Sequence, residues 1–244
     1  MIKGSLSLQA SFFADLADCV PSADVIPPLL EAFRDVGFLP TTFIQVSEGK
    51  PHTRLRLAAP NQEWFVDLDV HRINVVKNPT EPWGANLGSV EEFARNASEY
   101  ISRVLRIHTI SGTRLALVTK ELLDLADEGR VLEAYARAIN QLPFYEKHSP
   151  HEWQARSVAR ATYDLAGRDE ELNVISSISR VRGSFGTPKQ VEEFDCIGTD
   201  FDINTYQKRT EPRFGIESLE SFFSLATTLR SELLAQIGEK LGIA

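Results

Sequence analysis

A short sequence pattern that occurs twice constrains the fold of this chain more than any other feature. The dipeptide Ile-Asn at 73–74 and the tripeptide Thr-Glu-Pro at 80–82 recur at 203–204 and 210–212, with one constant offset. Proline lacks the backbone N–H that a β-ladder needs, so each Thr-Glu-Pro copy is expected to end a strand. An amphipathic helix follows each copy. We therefore predict a duplicated unit.

Hydrophobic periodicity predicts the same order of elements in both halves. Ser89 and Glu92 form a capping box at the start of the first long helix, and the last helix is predicted over 218–241. Shorter helices are predicted at 24–36 and 132–139. The predicted strands cover 5–14, 41–46, 53–58 and 64–76, then 113–119, 153–165, 172–182 and 194–206. The order is β-α-β-β-β-α, twice.

The predicted fold class is α+β, with one largely antiparallel sheet of about eight strands and helices on one face. By element order alone, this arrangement resembles the saddle of the TATA-binding-protein fold. A chain of 244 residues allows one large domain or two small ones. No Gly-, Ser- or Pro-rich linker separates the halves, so we predict a single domain, 1–244, made of pseudo-repeats 1–110 and 111–244.

Composition restricts the function classes. The chain is 43% hydrophobic with a net charge of −8, which excludes a disordered or disulfide-scaffold protein. The acidic balance argues against sequence-independent nucleic-acid binding, although a local basic patch remains compatible with it. Cys19 and Cys196 lie far apart and fit free thiols in a reducing compartment. No apolar run is long enough to span a membrane, so we expect a cytoplasmic protein.

Arginine is the first candidate for a binding site. The chain contains 18 arginines against 8 lysines, a bias towards the planar bidentate donor. Seven fall in predicted strands: Arg54, Arg56, Arg72, Arg156, Arg160, Arg180 and Arg182. They could bind phosphate, a nucleotide or an acidic protein partner. Alternatively, they form cross-strand ladders with Asp67, Asp69, Glu171, Asp200 and Asp202, which is the interpretation we favour.

A possible metal site is the second candidate. Asp67, Asp69 and His71 would share one face of the predicted strand 64–76, because alternate strand residues point the same way. Two carboxylates and an imidazole could hold a divalent cation or position a water. Steps of about 7 Å along a strand are too long for one ion, so we favour a solvated sheet face.

The chain resembles a sporadically distributed family of bacterial proteins of about this length that has no assigned activity. The resemblance rests on Trp64, on Arg-Ile-Asn at 72–74, on the helix around Phe93, on 114–117 and on Asp-Phe-Asp at 200–202. It implies a cytosolic α+β protein, encoded by an accessory or defence-island gene. It implies no catalytic residue.

Three functions follow as hypotheses, because the sequence contains no nucleophile-elbow, phosphate-loop or dinucleotide motif. The first is a non-catalytic binding or regulatory module that uses the arginine-bearing sheet face or the groove between the halves. The others are a metal-dependent hydrolase of a phosphorylated substrate, with Asp67, Asp69 and His71 as ligands, and a small-ligand sensor with a pocket between the sheet and the helices. We expect no cofactor, a protein partner rather than nucleic acid or membrane, and a monomer rather than a homodimer.

Overall fold

One antiparallel sheet forms the framework of the protein. The computed structural model describes residues 2–47, 49–123, 128–139, 142–187 and 190–243. The strands are β1 (Ile2–Phe13), β2 (Leu39–Ser47), β3 (Lys50–Ala58), β4 (Trp64–Leu68), β5 (Arg72–Lys77), β6 (Arg114–Leu123), β7 (Gln154–Asp164), β8 (Asp169–Thr187) and β9 (Gln190–Thr205). Their order is β2-β3-β4-β5-β1-β6-β9-β8-β7, so β1 and β6 pair at the centre and β2 and β7 form the edges.

Four of the five α-helices in the described residues pack against one face of this sheet, and the short fourth helix buries no residue. The helices are α1 (Ile26–Ala32), α2 (Val90–His108), α3 (Glu128–Ala138), α4 (Pro143–Lys147) and α5 (Ile216–Leu241), with 3-10 turns at Arg34–Val36 and Pro82–Leu87. Ser89 caps α2 as predicted, since its hydroxyl accepts a hydrogen bond from the Glu92 N–H at 3.1 Å. The two long helices, α2 and α5, pack together across the centre of the sheet.

Strand alternation separates a helix face from an open face. Leu8, Ala10 and Phe12 of β1 are buried in the core beneath the helices. Gln9 and Ser11 point the opposite way, because successive strand side chains alternate. We use the name open face for this second surface, which lies opposite α1, α2, α3 and α5.

The number of strands differs from the prediction. The prediction of one strand over 64–76 is wrong: β4 ends at Leu68 and β5 begins at Arg72, so the sheet has nine strands. The first half therefore contains one strand more than the second, and the duplication stays a prediction. The α+β class and the antiparallel sheet are confirmed. Within the described ranges, no helix is long and apolar enough to cross a membrane.

Candidate functional site

A row of side chains crosses the open face, with one residue from each strand. The strand registers place every member directly opposite the next one. In sheet order the row is Thr41, Arg56, Asp67, Asn74, Ser11, Ala116, Asn204, Asn173 and Arg160. At about 4.8 Å between strands, it extends for about 38 Å. We call it the polar row.

An ion pair and a hydroxyl–amide contact hold the first half of the row. Arg56 binds Asp67 in a bidentate manner, with nitrogen–oxygen distances of 2.5 and 2.8 Å. This carboxylate raises the pKa of the Arg56 guanidinium through the hydrogen bond. The Ser11 hydroxyl donates to Asn74 Oδ1 at 2.6 Å, and Gln9 Nε2 donates to the Ser11 oxygen at 3.2 Å. The Arg56–Asp67 pair is thus a cross-strand ladder of the kind we favoured.

The second half of the row is a chain of donors and acceptors. Arg160 Nε donates to Asn173 Oδ1 at 3.0 Å, and Asn173 Nδ2 donates to Asn204 Oδ1 at 3.1 Å. The chain ends where Asn204 Nδ2 donates to Asp202 at 2.8 Å. The Arg160 guanidinium also lies 3.8 Å from the centre of the Tyr206 ring. These contacts orient Arg160 before any partner binds.

Two arginines flank an aromatic ring beside the centre of the row. The guanidinium carbons of Arg114 and Arg72 lie 4.6 and 5.9 Å from the centre of the Phe13 ring. Burial lowers the pKa of Arg114, while the Asp202 carboxylate opposes that shift. Arg114 Nε is buried and has no hydrogen-bond partner among the described residues. It is therefore a donor with an unmet requirement, and the alternation of the predicted strand 113–119 could have identified it.

The seven predicted arginines do not form one group. Four of them lie on the open face: Arg56, Arg72, Arg156 and Arg160. Arg56 lies opposite Asp67 and Arg160 lies opposite Asn173. Arg72 points the same way as Asn74 in β5, and Arg156 the same way as Arg160 in β7, because alternate strand residues share a face. Arg54 is 2% exposed, and its guanidinium donates to the backbone carbonyls of Leu16, Ala17 and Leu68. Arg54 therefore ties the middle of β3 to the end of β4 and to the loop after β1.

Arg180 and Arg182 lie on the opposite side of the sheet. Both have the parity of Leu172 in β8, which points into the core. Their partner is Asp195 of β9, which accepts from Arg180 at 2.5 and 2.9 Å and from Arg182 at 3.1 Å. The two guanidinium groups, with Arg180 contributing most, hold the pKa of Asp195 below its ordinary value.

Asp67, Asp69 and His71 do not share a strand face. Asp67 belongs to β4, whereas Asp69 and His71 lie in the turn between β4 and β5. The Asp69 carboxylate accepts hydrogen bonds from Gln45 Nε2 at 2.5 Å and from Arg72 Nε at 3.3 Å. Across the part of the chain that the structure describes, no group of three or more metal-ligating side chains occurs.

The groove between the halves lies on the helix side. A cavity of about 450 Å³ lies between the outer surfaces of α2 and α5 and has an acidic rim. Glu91, Glu99 and Glu220 line it together with Arg95. It opens between the two helices and not between helices and sheet, where a small-ligand pocket was expected.

The chain matches no protein-family model, and no curated protein matches it. The family resemblance described above therefore stays a prediction. The candidate site rests on the geometry of the open face alone.

Proposed function

We propose that the protein is a non-catalytic binding or regulatory module whose open face receives a protein partner. The polar row carries this proposal, because hydrogen bonds order seven of its nine side chains and an arginine lies near each end. In sheet order, the five members from Asn74 to Asn173 are buried, so a partner would contact the arginines that Asp67 and Asn173 hold in place, at a low entropic cost. An accessory or defence role, which the resemblance implies, belongs to the same proposal.

The symmetry of the row supports the predicted duplication. The two central strands, β1 and β6, are flanked by β5 and β9, and these carry the repeated Ile-Asn dipeptides. Asn74 and Asn204 therefore occupy equivalent positions on either side of the centre. Arg56 and Arg160 are each the fourth residue from the centre. We infer two copies of one unit that share a single sheet, in the arrangement of a saddle.

The basic groups of the open face favour an acidic protein partner. Arg72, Arg114 and Arg156 lie there in addition to the two arginines of the row. Arg156 is exposed, while Arg72 retains 39% of its side-chain exposure despite its contact with Asp69. Planar guanidinium groups bind carboxylates with two parallel hydrogen bonds. We therefore expect the partner to be a protein that presents clustered carboxylates to these arginines.

Affinity capture from the native cytoplasm, followed by mass spectrometry, tests the proposal. The face variant combines Arg72→Glu with Arg114→Gln. The matched control is Arg34→Glu, because Arg34 is 77% exposed and lies away from the sheet. Arg95→Glu tests the groove between α2 and α5. We expect to capture a protein that binds the wild type, Arg34→Glu and Arg95→Glu but does not bind the face variant. Equal capture by the face variant contradicts it, and loss through Arg95→Glu alone assigns binding to the groove.

A further inference from the structure

The outer side of β7 is an exposed sheet edge. Nine of the eleven residues of β7 are exposed, and Val158 retains 52% of its accessible surface. Among the described residues, β8 is the only strand that pairs with β7. Proteins commonly protect such an edge with charged side chains, a proline, a bulge or a covering element, and in the described part of the chain β7 carries only the charges of this set. The sequence of β7 contains no proline or glycine, and its pairing with β8 contains no register shift.

The backbone hydrogen bonds show which residues of β7 face outwards. The N–H of Arg180 donates to the Trp153 carbonyl at 3.2 Å, and Leu165 and Arg168 exchange bonds of 2.8 and 3.2 Å. Odd-numbered residues of this strand therefore direct their N–H and C=O groups at β8. The outward groups belong to Gln154, Arg156, Val158, Arg160, Thr162 and Asp164.

The same residues place their side chains on the open face. Arg156, Val158 and Arg160 consequently present both free backbone groups and a basic–apolar–basic pattern. Arg160 is held by Asn173 and Tyr206, so it is oriented before binding. A strand that bonded to this edge would meet the three side chains at alternate positions.

We propose that β7 accepts an extended acidic peptide of the partner protein as a tenth strand. The peptide would carry carboxylates at positions i and i+4, opposite the two arginines, and an apolar residue at i+2, opposite Val158. This inference rests on the proposed function, since it names the partner segment that the open face receives. Charge complementarity selects this occupant: antiparallel pairing of β7 with a second copy centred on Val158 would crowd four arginines on one face.

A labelled peptide tests the proposal directly. The probe is Thr-Glu-Thr-Val-Thr-Glu-Thr, which reads the same in both strand directions, and the control peptide carries Lys in place of Glu. Fluorescence anisotropy should detect binding of the acidic probe alone, weakening as salt is added. Reversing both charges with Arg156→Glu and Arg160→Glu should weaken binding by about tenfold or more.

Proline variants separate backbone pairing from charge attraction. Val158→Pro removes one outward N–H, which makes no bond to β8. The fold should therefore persist, while probe binding is lost. Ile44→Pro is the matched control at the other edge. The Ala59 N–H donates to the Trp64 carbonyl at 2.9 Å, so the backbone groups of odd-numbered β3 residues point at β4 and those of even-numbered β3 residues point at β2. Even-numbered β3 residues lie opposite odd-numbered β2 residues, so the backbone groups of even-numbered β2 residues, including Ile44, point outwards. Circular dichroism and thermal melting verify the fold of each variant.

The outcomes are distinct. Binding that Val158→Pro abolishes and Ile44→Pro preserves supports strand addition. Binding that survives Val158→Pro, no binding by the wild type, or a wild-type dimer in light scattering that Val158→Pro converts to monomer overturns it. The probe experiment does not involve Arg72 or Arg114. If the probe does not bind but affinity capture is still lost in the Arg72 and Arg114 variant, strand addition is rejected and the proposed function stands.

Discussion

The two edges of the sheet are built in opposite ways. At the β2 edge, Pro40 occupies an outward-facing position, so one of the N–H groups that a new strand would need is missing. The strand contains no charged residue, and Ile44 and Val46 are 72% and 71% exposed. At the β7 edge, every outward residue retains its N–H, and two of the six are arginines.

The two edges would limit pairing with a further strand by different physical means. An uncharged edge with exposed β-branched residues would pair with almost any strand, so its proline limits unwanted association. A basic edge repels a copy of itself and attracts carboxylates, so charge replaces proline as the means of selection. Pro40 and Arg156 thus represent two solutions to one problem.

The largest effect is expected from a proline on the inward side of β7. Ala159→Pro should lower the free energy of unfolding by about 2 to 4 kcal/mol, because it removes a ladder hydrogen bond to β8 and distorts the strand. Val158→Pro should cost less than about 1 kcal/mol, since the N–H that it removes is bonded to solvent. Urea unfolding measures both. Equal losses would show that the hydrogen-bond phase of β7 is assigned wrongly.

A smaller effect is expected when the protection of β2 is removed. Pro40→Ala restores an outward N–H in each copy, so two net hydrogen bonds of about 1 kcal/mol each should tighten two-fold symmetric self-association about thirtyfold. Sedimentation at several concentrations measures it. Adding Ile44→Lys should cancel the gain, because like charges would face each other across the paired edges. Unchanged self-association in Pro40→Ala would mean that the proline does not protect this edge.

The smallest effect concerns the ion pairs between Asp195 of β9 and the arginines of β8, the strand next to the β7 edge. Asp195 has a lowered pKa in the folded protein, chiefly because of Arg180. Its stabilising contribution is therefore fully present above the pKa of the unfolded state and is lost as pH falls through the folded value. Arg182→Gln should move the Asp195 titration, followed by NMR, part of the way back towards its ordinary range, and it should cost about 1 kcal/mol or less near neutral pH because Arg182 is 43% exposed. A titration that does not move would assign the shift to another group.

Local patterns predicted much of this molecule. The alternation of apolar residues identified most strands, and Ser89 with Glu92 marked the start of α2. The turn between β4 and β5 was missed because Asp-Val-His at 69–71 contains neither glycine nor proline. Arg180 lies an even number of residues from Leu172 and Ile178, so it points to the helix face as they do. The same strand alternation could therefore have separated Arg180 from the arginines of the open face.

The polar row could not have been predicted. Its nine members are scattered between Ser11 and Asn204, and they align only because strands distant in sequence pair in fixed registers. Register between distant strands depends on tertiary packing, which local periodicity does not encode. The direction in which β7 exposes its backbone likewise follows from the hydrogen bonds with β8.

The central position of β1 has a consequence for the synthesis of the chain. β1 is translated before every other strand, yet one of its two neighbours is β6, which begins only at Arg114. At typical rates of translation, about 5 to 20 s separate the two strands. During this interval β5 can cover one side of β1, while the other side stays unpaired on the ribosome. The nascent first half is therefore the stage at which a chaperone would protect this protein most effectively.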